Sequence, residues 1–116
     1  MNIKMKNFSE LDEFDLLSVV KVVEPEMCGR STPLFDGYRG QFFWHINGES
    51  CTDWLASYVF EGGAIAPGEK GYCKVVLAGH VKEAANNNFP VGAQFAIREG
   101  AKIVAIGKII ENHTNA

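Results

Sequence analysis

The chain has 116 residues and a formal net charge of −3, and 47% of its residues are hydrophobic. This length fits one domain, and the apolar share is sufficient for a core of that size. The acidic balance argues against a protein whose main role is nucleic-acid binding, because phosphate neutralisation requires clustered lysines and arginines; a small basic patch is compatible with it, and no DNA partner is expected. The sequence contains no run of eighteen apolar residues, so no membrane span is predicted. No secretory signal is recognisable either, and we expect a cytoplasmic protein.

Six segments have the composition and alternation of β-strands. The first, 14–24, is rich in β-branched valines and ends before Pro25. The others are 41–46, 54–60, 72–81, 92–98 and 102–111. Glu99-Gly100 joins the last two strands, a length that suits a tight hairpin. The spacing, with no amphipathic helix, predicts an all-β fold: a six-stranded antiparallel closed barrel. Closure is favoured because several strands carry apolar residues on both faces.

Polar segments border and separate these strands. Residues 1–13 predict a polar arm, in which Ser9 would cap a short turn, and residues 112–116 predict a polar tail. The barrel itself is expected to span residues 14–111. The segment 25–40 holds three glycines and two prolines, which predicts a long loop.

Three blocks of sequence follow one another in a specific order. The first runs from Gly29 to Phe42 and reads GRSTPLFDGYRGQF. The second is Pro67-Gly68-Glu69, and the third is Phe95-Ala96-Ile97-Arg98-Glu99-Gly100, followed by the alternating run 101–110. In this order the blocks resemble the C-terminal β-barrel domain (domain III) of elongation factor EF-Tu. The resemblance covers about residues 14–111, and we expect a stand-alone barrel with no GTPase domain.

The resemblance implies a set of binding residues. In EF-Tu the hairpin at the Arg-Glu-Gly element lies against the T-stem backbone of aminoacyl-tRNA, and the matching residues here are Arg98, Glu99 and Gly100. The alternative is a purely structural role in the hairpin, which the sequence favours for Glu99 because a carboxylate is a poor partner for phosphate. Arg39, from the first block, is a further candidate for contact with tRNA or a protein partner. Family members can be phosphorylated at the threonine of the Arg-x-Thr-Pro element, which makes Thr32 a candidate phosphorylation site.

Two segments, 47–65 and 82–93, differ from the family pattern. Loop changes on a retained scaffold are where new recognition usually arises. We therefore expect a partner surface specific to this protein near four residues of these segments. These are Trp54, Tyr58, Asn87 and Phe89. Neutral loop growth is the alternative explanation.

Recognisable catalytic and metal-binding patterns are absent from the sequence. The cysteines, Cys28, Cys51 and Cys73, are odd in number and have no CxxC spacing, so we expect free thiols and neither a metal nor a cofactor. The sequence contains no GxxxxGK[ST] element, so nucleotide hydrolysis is not predicted. A thiol-dependent enzyme would require Cys51 to lie beside His45 in space, or Cys73 beside His80. This is the least favoured function.

Two other functions fit the sequence better. The first is a non-enzymatic binding module of the translation apparatus that binds tRNA or a factor domain. Surfaces that face other domains in EF-Tu would then be exposed, which predicts a protein partner or a homodimer. The second is a mimic or antagonist, for example an immunity-type protein that binds a toxin or another protein targeting EF-Tu. The diverged loops and the acidic charge favour this second function.

Overall fold

The computed structural model describes residues 7–24, 33–43, 45–46, 49–50, 54–77, 83, 89–99 and 102–114. The elements formed by these residues are β-strands, which confirms the all-β class. They are β1 (Leu16–Val22), β2 (Leu34–Phe35), β3 (Tyr38–Phe43), β4 (His45–Ile46), β5 (Glu49–Ser50), β6 (Trp54–Phe60), β7 (Ala64–Ile65), β8 (Lys70–Leu77), β9 (Gln94–Glu99) and β10 (Lys102–Asn112).

The six longer strands form one curled antiparallel sheet. Neighbouring strands follow the order β1, β10, β9, β3, β6 and β8. Strand β1 pairs with β10 on one side and with β8 on the other, where Val19 lies opposite Tyr72. The short strands form two separate pairs, β2 with β7 and β4 with β5. The sheet curls so that the inward-facing side chains of every strand meet in one core.

Most predicted strand positions are close to those observed, and β6 has the predicted bounds. The prediction of a continuous loop over 25–40 is wrong at its C-terminal end. Strand β2 lies there, and β3 begins at Tyr38 rather than at Gln41. A two-residue strand carries no periodicity, and β2 exists because Leu34 pairs with Ile65 from a distant segment.

The core lies inside the curled sheet. Its largest fully buried side chains are Tyr58, Phe42, Phe60, Phe89, Leu16, Leu34, Ile97 and Ile109. Strand β8 shows the predicted alternation, since Cys73, Val75 and Leu77 are buried while the residues between them are more exposed. The aromatic rings contact one another, with the centroids of Phe42 and Phe95 4.8 Å apart.

Gly107 shows how tightly this core is packed. It pairs with Phe95 across β9 and β10. A Cβ atom at position 107 would lie 2.1 Å from Cζ of the Phe95 ring, well inside the distance of any real contact. Glycine is therefore required here, because the ring of Phe95 occupies the space that a side chain would fill.

The turn before β3 is held by Asp36 and Gly37. Gly37 has a φ of 84°, a conformation that favours glycine. The Asp36 carboxylate accepts a hydrogen bond from the backbone N–H of Phe60 at 2.7 Å, and the N–H of Gly37 donates to the carbonyl of Tyr58 at 2.9 Å. These bonds tie the turn to β6 and orient β3.

Candidate binding surfaces

Strands β9 and β10 are paired neighbours, as predicted for a hairpin. Glu99 is the last residue of β9 and pairs with Lys102, so the prediction that Glu99 belongs to the connection is wrong. The Tyr38 hydroxyl donates a hydrogen bond to Oε2 of Glu99 at 2.6 Å, and Tyr38 also packs against the core. Short bonds to a carboxylate are among the stronger hydrogen bonds in proteins. Glu99 thus fixes the end of β9 to β3, a role that sequence reasoning missed.

Arg39 and Arg98, which the sequence singled out separately, lie on one outer face of the sheet. Gln41 of β3 pairs with Arg98 of β9, and Arg39 is two positions before Gln41. Phe42 and Ile97 are fully buried, so the two arginines project from the opposite face. Diagonal neighbours of this kind have Cα atoms about 7–8 Å apart. The structure therefore places two guanidinium groups beside the hairpin.

The exposure of these arginines differs. Arg39 is exposed, and Arg98 is half-buried. A guanidinium group presents its N–H donors in a planar fork that matches phosphate or carboxylate oxygens. The pair is therefore suited to an anionic ligand. Gly100, assigned to the same site from the sequence, lies outside the described residues, as does Thr32.

The residues of the two divergent segments have different positions. Tyr58 is fully buried on β6 and Phe89 is 1% exposed. Both side chains pack into the core, where Phe89 contacts Phe42 edge to face at 6.4 Å, so a partner surface near these residues would not include the two side chains themselves. Trp54 is the first residue of β6, and Asn87 lies outside the described residues.

Two buried acids of the core, Tyr58 and Cys73, are held in their neutral forms. Burial raises the pKa of the Tyr58 hydroxyl well above its usual value, and the neighbouring Cys73 and Tyr38 add to that effect. No other group of the described residues forms a hydrogen bond with the Tyr58 hydroxyl. Burial also raises the pKa of the Cys73 thiol strongly, although hydrogen bonds involving Val59 and Ser18 act in the opposite direction.

This state of Cys73 bears on the thiol-enzyme hypothesis. A protonated, fully buried thiol is a poor nucleophile, since the thiolate is the reactive species. Cys51 and His80, the other residues of that hypothesis, lie outside the described residues together with Cys28. Within the described ranges, no group of three His, Cys, Asp or Glu side chains is arranged to hold a metal ion.

The N-terminal residues 7–14 are attached to the outside of β8 by Lys74. Its Nζ donates to the carbonyl oxygens of Phe8 at 2.5 Å and of Leu11 at 2.8 Å. The same ammonium lies 4.6 Å from the ring centroid of Phe8 and 4.8 Å from that of Phe14. Lys74 is therefore fully engaged by the arm, through both hydrogen bonds and cation–π contacts.

The turn in this arm begins at Asn7, so the prediction of a cap at Ser9 is wrong. Oδ1 of Asn7 accepts from the N–H of Glu10 at 2.9 Å, and Oε1 of Glu10 accepts from the N–H of Asn7 at 3.2 Å. This reciprocal pair is a capping box. The Asn-x-x-Glu spacing was the sequence signal that identifies it.

A second outer face is formed by β8, β1 and β10, and sequence reasoning missed it. We call it the lysine face. One row across it is Tyr72, Val19 and Lys108, and the next row is Lys70, Lys21 and Ile106. These six residues lie on the more exposed side of their alternating strands, so they face outward. The pairing between strands that are distant in sequence is what assembles them.

Comparison with protein families gives a consistent result. No described helix is long and apolar enough to cross a membrane. The family model of the elongation factor Tu C-terminal domain matches residues 11–112, nearly the whole of the 116-residue chain. The match includes the Arg39–Arg98 face, the hairpin and all six strands of the curled sheet. This chain belongs to the elongation factor Tu C-terminal domain family.

Proposed function

We propose that this chain is a non-enzymatic binding module of the translation apparatus, located in the cytoplasm. We further propose that the Arg39–Arg98 face, together with hairpin β9–β10, contacts the backbone of tRNA. Membership of the elongation factor Tu C-terminal domain family supports the translation role. The single observation that carries the RNA contact is the diagonal placement of Arg39 and Arg98 beside a hairpin anchored by Tyr38 and Glu99.

The chemistry of this face suits a nucleic-acid backbone. Arginine side chains bind phosphate oxygens through two parallel hydrogen bonds, and backbone N–H groups of a turn add contacts to phosphate or sugar. Glu99 is not a direct phosphate ligand in this proposal. It fixes the end of β9 to Tyr38 of β3, next to the arginines.

The proposed role requires a rigid scaffold, and we propose that the six strands form a closed barrel. The pairing of β1 with both β10 and β8 supports closure. In a closed barrel neither β1 nor β8 has an open edge. Hydrogen exchange followed by NMR tests this, since we expect slow exchange for paired amides along both strands. Fast exchange throughout the β1–β8 pairs would show an open sheet.

Fluorescence anisotropy with a labelled tRNA transcript tests the RNA contact. The double variant Arg39→Gln/Arg98→Gln should bind about tenfold more weakly than the unchanged protein. The matched control is Lys21→Gln/Lys108→Gln, which removes the same charge from the lysine face and should change the Kd by less than about twofold.

Salt dependence makes the test more specific. Between about 50 and 200 mM salt, tRNA affinity should fall steeply, and the arginine double variant should show a smaller slope. Equal losses in the arginine and lysine variants would indicate general charge attraction and would contradict the assigned face. No salt-sensitive binding at about 100 μM protein would show that tRNA is not a partner.

A further inference from the structure

We propose that the lysine face is a docking site for an acidic, apolar segment of a partner protein, separate from the arginine face. The observation that carries this proposal is a like-charge pair. Lys21 of β1 lies directly opposite Lys70 of β8 in the register of the sheet. Both side chains are exposed and both project from the outer face.

A lysine opposite a lysine is unfavourable in an isolated sheet. Directly opposed residues have Cβ atoms about 4.5–5.5 Å apart, where like charges repel. Among the described residues, no ion pair or side-chain hydrogen bond neutralises Lys21, Lys70 or Lys108. A local arrangement that weakens the fold without a compensating contact is expected at functional sites. An external carboxylate between the two ammonium groups would convert the repulsion into attraction.

The same face offers apolar surface to the segment that carries the carboxylate. Tyr72 is 46% exposed and Ile106 is 40% exposed, and half-buried Val19 lies beside both of them. A shallow groove of about 340 Å³ adjoins this surface, lined by Lys21, Val23, Glu24 and Ile106. The apolar residues and the lysines therefore lie in two neighbouring rows. A ligand of this face needs both negative charge and apolar surface.

The protein already holds a segment of this chemistry next to the lysine face. Residues 8–15 read FSELDEFD, with four carboxylates interspersed among Phe8, Leu11 and Phe14. Lys74 holds this segment and is two positions beyond Tyr72 on the same side of β8. Lys74 contacts backbone carbonyls and aromatic rings of this segment, and the lysine face offers the same combination of ammonium groups and apolar side chains. We infer that its ligand has the same character.

A protein segment fits this face better than a nucleic acid does. Tyr72 is the one aromatic residue of the two rows, whereas Val19 and Ile106 are aliphatic and offer no stacking surface to bases. Glu24 lines the groove beside Lys21, and Glu69 precedes Lys70 in the chain, so a long phosphate chain would meet carboxylates beside the lysines. A short peptide has few charges and can place its apolar side chains against Tyr72 and Ile106. The face is small, so we expect weak, transient binding.

The test uses a labelled peptide of the sequence FSELDEFD, blocked at both ends, and the variant Lys70→Glu. This substitution places a carboxylate opposite Lys21, so the Kd of the peptide should rise at least about tenfold. The melting temperature should rise by about 1–5 °C, because a repulsive pair becomes an attractive one. Weaker binding by a more stable protein excludes unfolding as the cause.

Three controls complete the experiment. Arg39→Glu reverses a charge on the arginine face and should leave peptide binding within about twofold, which separates this proposal from RNA binding. Tyr72→Ser should weaken peptide binding, whereas Val91→Ser, at an exposed apolar residue outside the face, should not. Lys74→Met removes the contacts that hold residues 7–14. Peptide binding by this variant tests whether the peptide binds only by replacing that segment.

Several results would overturn the proposal. Unchanged peptide binding by Lys70→Glu is the most direct one. Loss of binding only in Lys74→Met would place the peptide in the position of the arm. An oligouridylate of about 20 nucleotides that binds the face and loses more affinity than the peptide on Lys70→Glu would identify a nucleic-acid site instead.

Discussion

Strand β8 uses the same side chain in opposite ways at its first residue and at its middle. Lys74 has two carbonyl oxygens as acceptors and lies against two aromatic rings. Lys70, four residues earlier on the same outer face, lies opposite Lys21 and forms no ion pair within the described residues. The first lysine stabilises the fold. The second is retained at a cost to stability, which indicates a ligand outside the chain.

The core contains the same contrast in a pair of tyrosines. The rings of Tyr38 and Tyr58 have their centroids 6.1 Å apart. The Tyr38 hydroxyl donates to Glu99 at 2.6 Å, whereas the Tyr58 hydroxyl is buried without a partner in the part of the chain that the structure describes. In both regions, therefore, two side chains of the same type differ in their polar contacts. One forms hydrogen bonds with the rest of the described chain and the other does not. Substitutions at each pair can break or sharpen this comparison.

Replacing Lys74 with Met should have the largest effect. It removes two hydrogen bonds from a charged donor and two cation–π contacts, and we expect the free energy of unfolding to fall by about 1–3 kcal/mol. The arm should also become sensitive to proteolysis. Lys70→Met is the matched control and should be neutral or slightly stabilising in urea denaturation. Equal losses in the two variants would remove the distinction between the lysines.

Alkaline pH should destabilise the protein through Tyr58 and Cys73. The folded state raises both pKa values, so the folded protein retains these protons at pH values where the unfolded chain has lost them. Their contribution is complete below the unfolded pKa values, about 8.5 for Cys and about 10 for Tyr, and decreases as pH rises above them. The slope approaches about 1.4 kcal/mol per pH unit for each group.

Denaturation curves measured from neutral to alkaline pH check this expectation. The variant Tyr58→Phe/Cys73→Ala should lose most of the slope that the unchanged protein shows in this range. Cys28 and Cys51 remain in both proteins, so the difference reports the two core residues. Identical slopes would mean that neither group is protected from ionisation by the fold.

Replacing Tyr38 with Phe should lower stability by about 1–2 kcal/mol, because the short bond to the Glu99 carboxylate is lost. Tyr72→Phe, at an exposed tyrosine, is the control and should be neutral. The measurement is again the unfolding free energy. tRNA binding by Tyr38→Phe should weaken as well, since the hairpin loses its anchor. Weaker tRNA binding without any change in stability would assign the hydroxyl a direct contact.

Replacing Tyr58 with Phe should raise stability by about 1 kcal/mol. The substitution removes a buried hydroxyl that has no partner and keeps the ring in place. The opposite signs expected for Tyr38→Phe and Tyr58→Phe are the sharpest check on the comparison of the two tyrosines. A loss of stability in Tyr58→Phe would show that an ordered water satisfies the hydroxyl in solution.

The sequence predicted much of the fold because strands leave a local signal. Strand β6 has the predicted bounds, and β9 and β10 pair as expected, although Glu99 belongs to β9 and not to the connection. The arginines of the candidate RNA site were identified from family blocks. Their adjacency was not, because it depends on which strand pairs with β3.

The errors share one physical cause. Phe89 follows a polar loop and Tyr58 lies in a segment without family similarity, so both were placed near a predicted partner surface, yet each fills the core. Strand β2 is too short to have a period. In each case the outcome depends on contacts with residues that are far away in sequence.

The amino-acid sequence alone determined the strand class, the family and the hairpin, since alternation, β-branching and turn residues act over a few neighbouring positions. Only the tertiary structure decided that Lys21 meets Lys70, that Lys74 holds the arm, and that the Tyr58 hydroxyl has no partner. These features arise where the curled sheet brings distant strands into register. Each residue has its own charge and its own hydrogen-bond donors and acceptors. Whether these groups find a partner depends on which residues the fold places beside them.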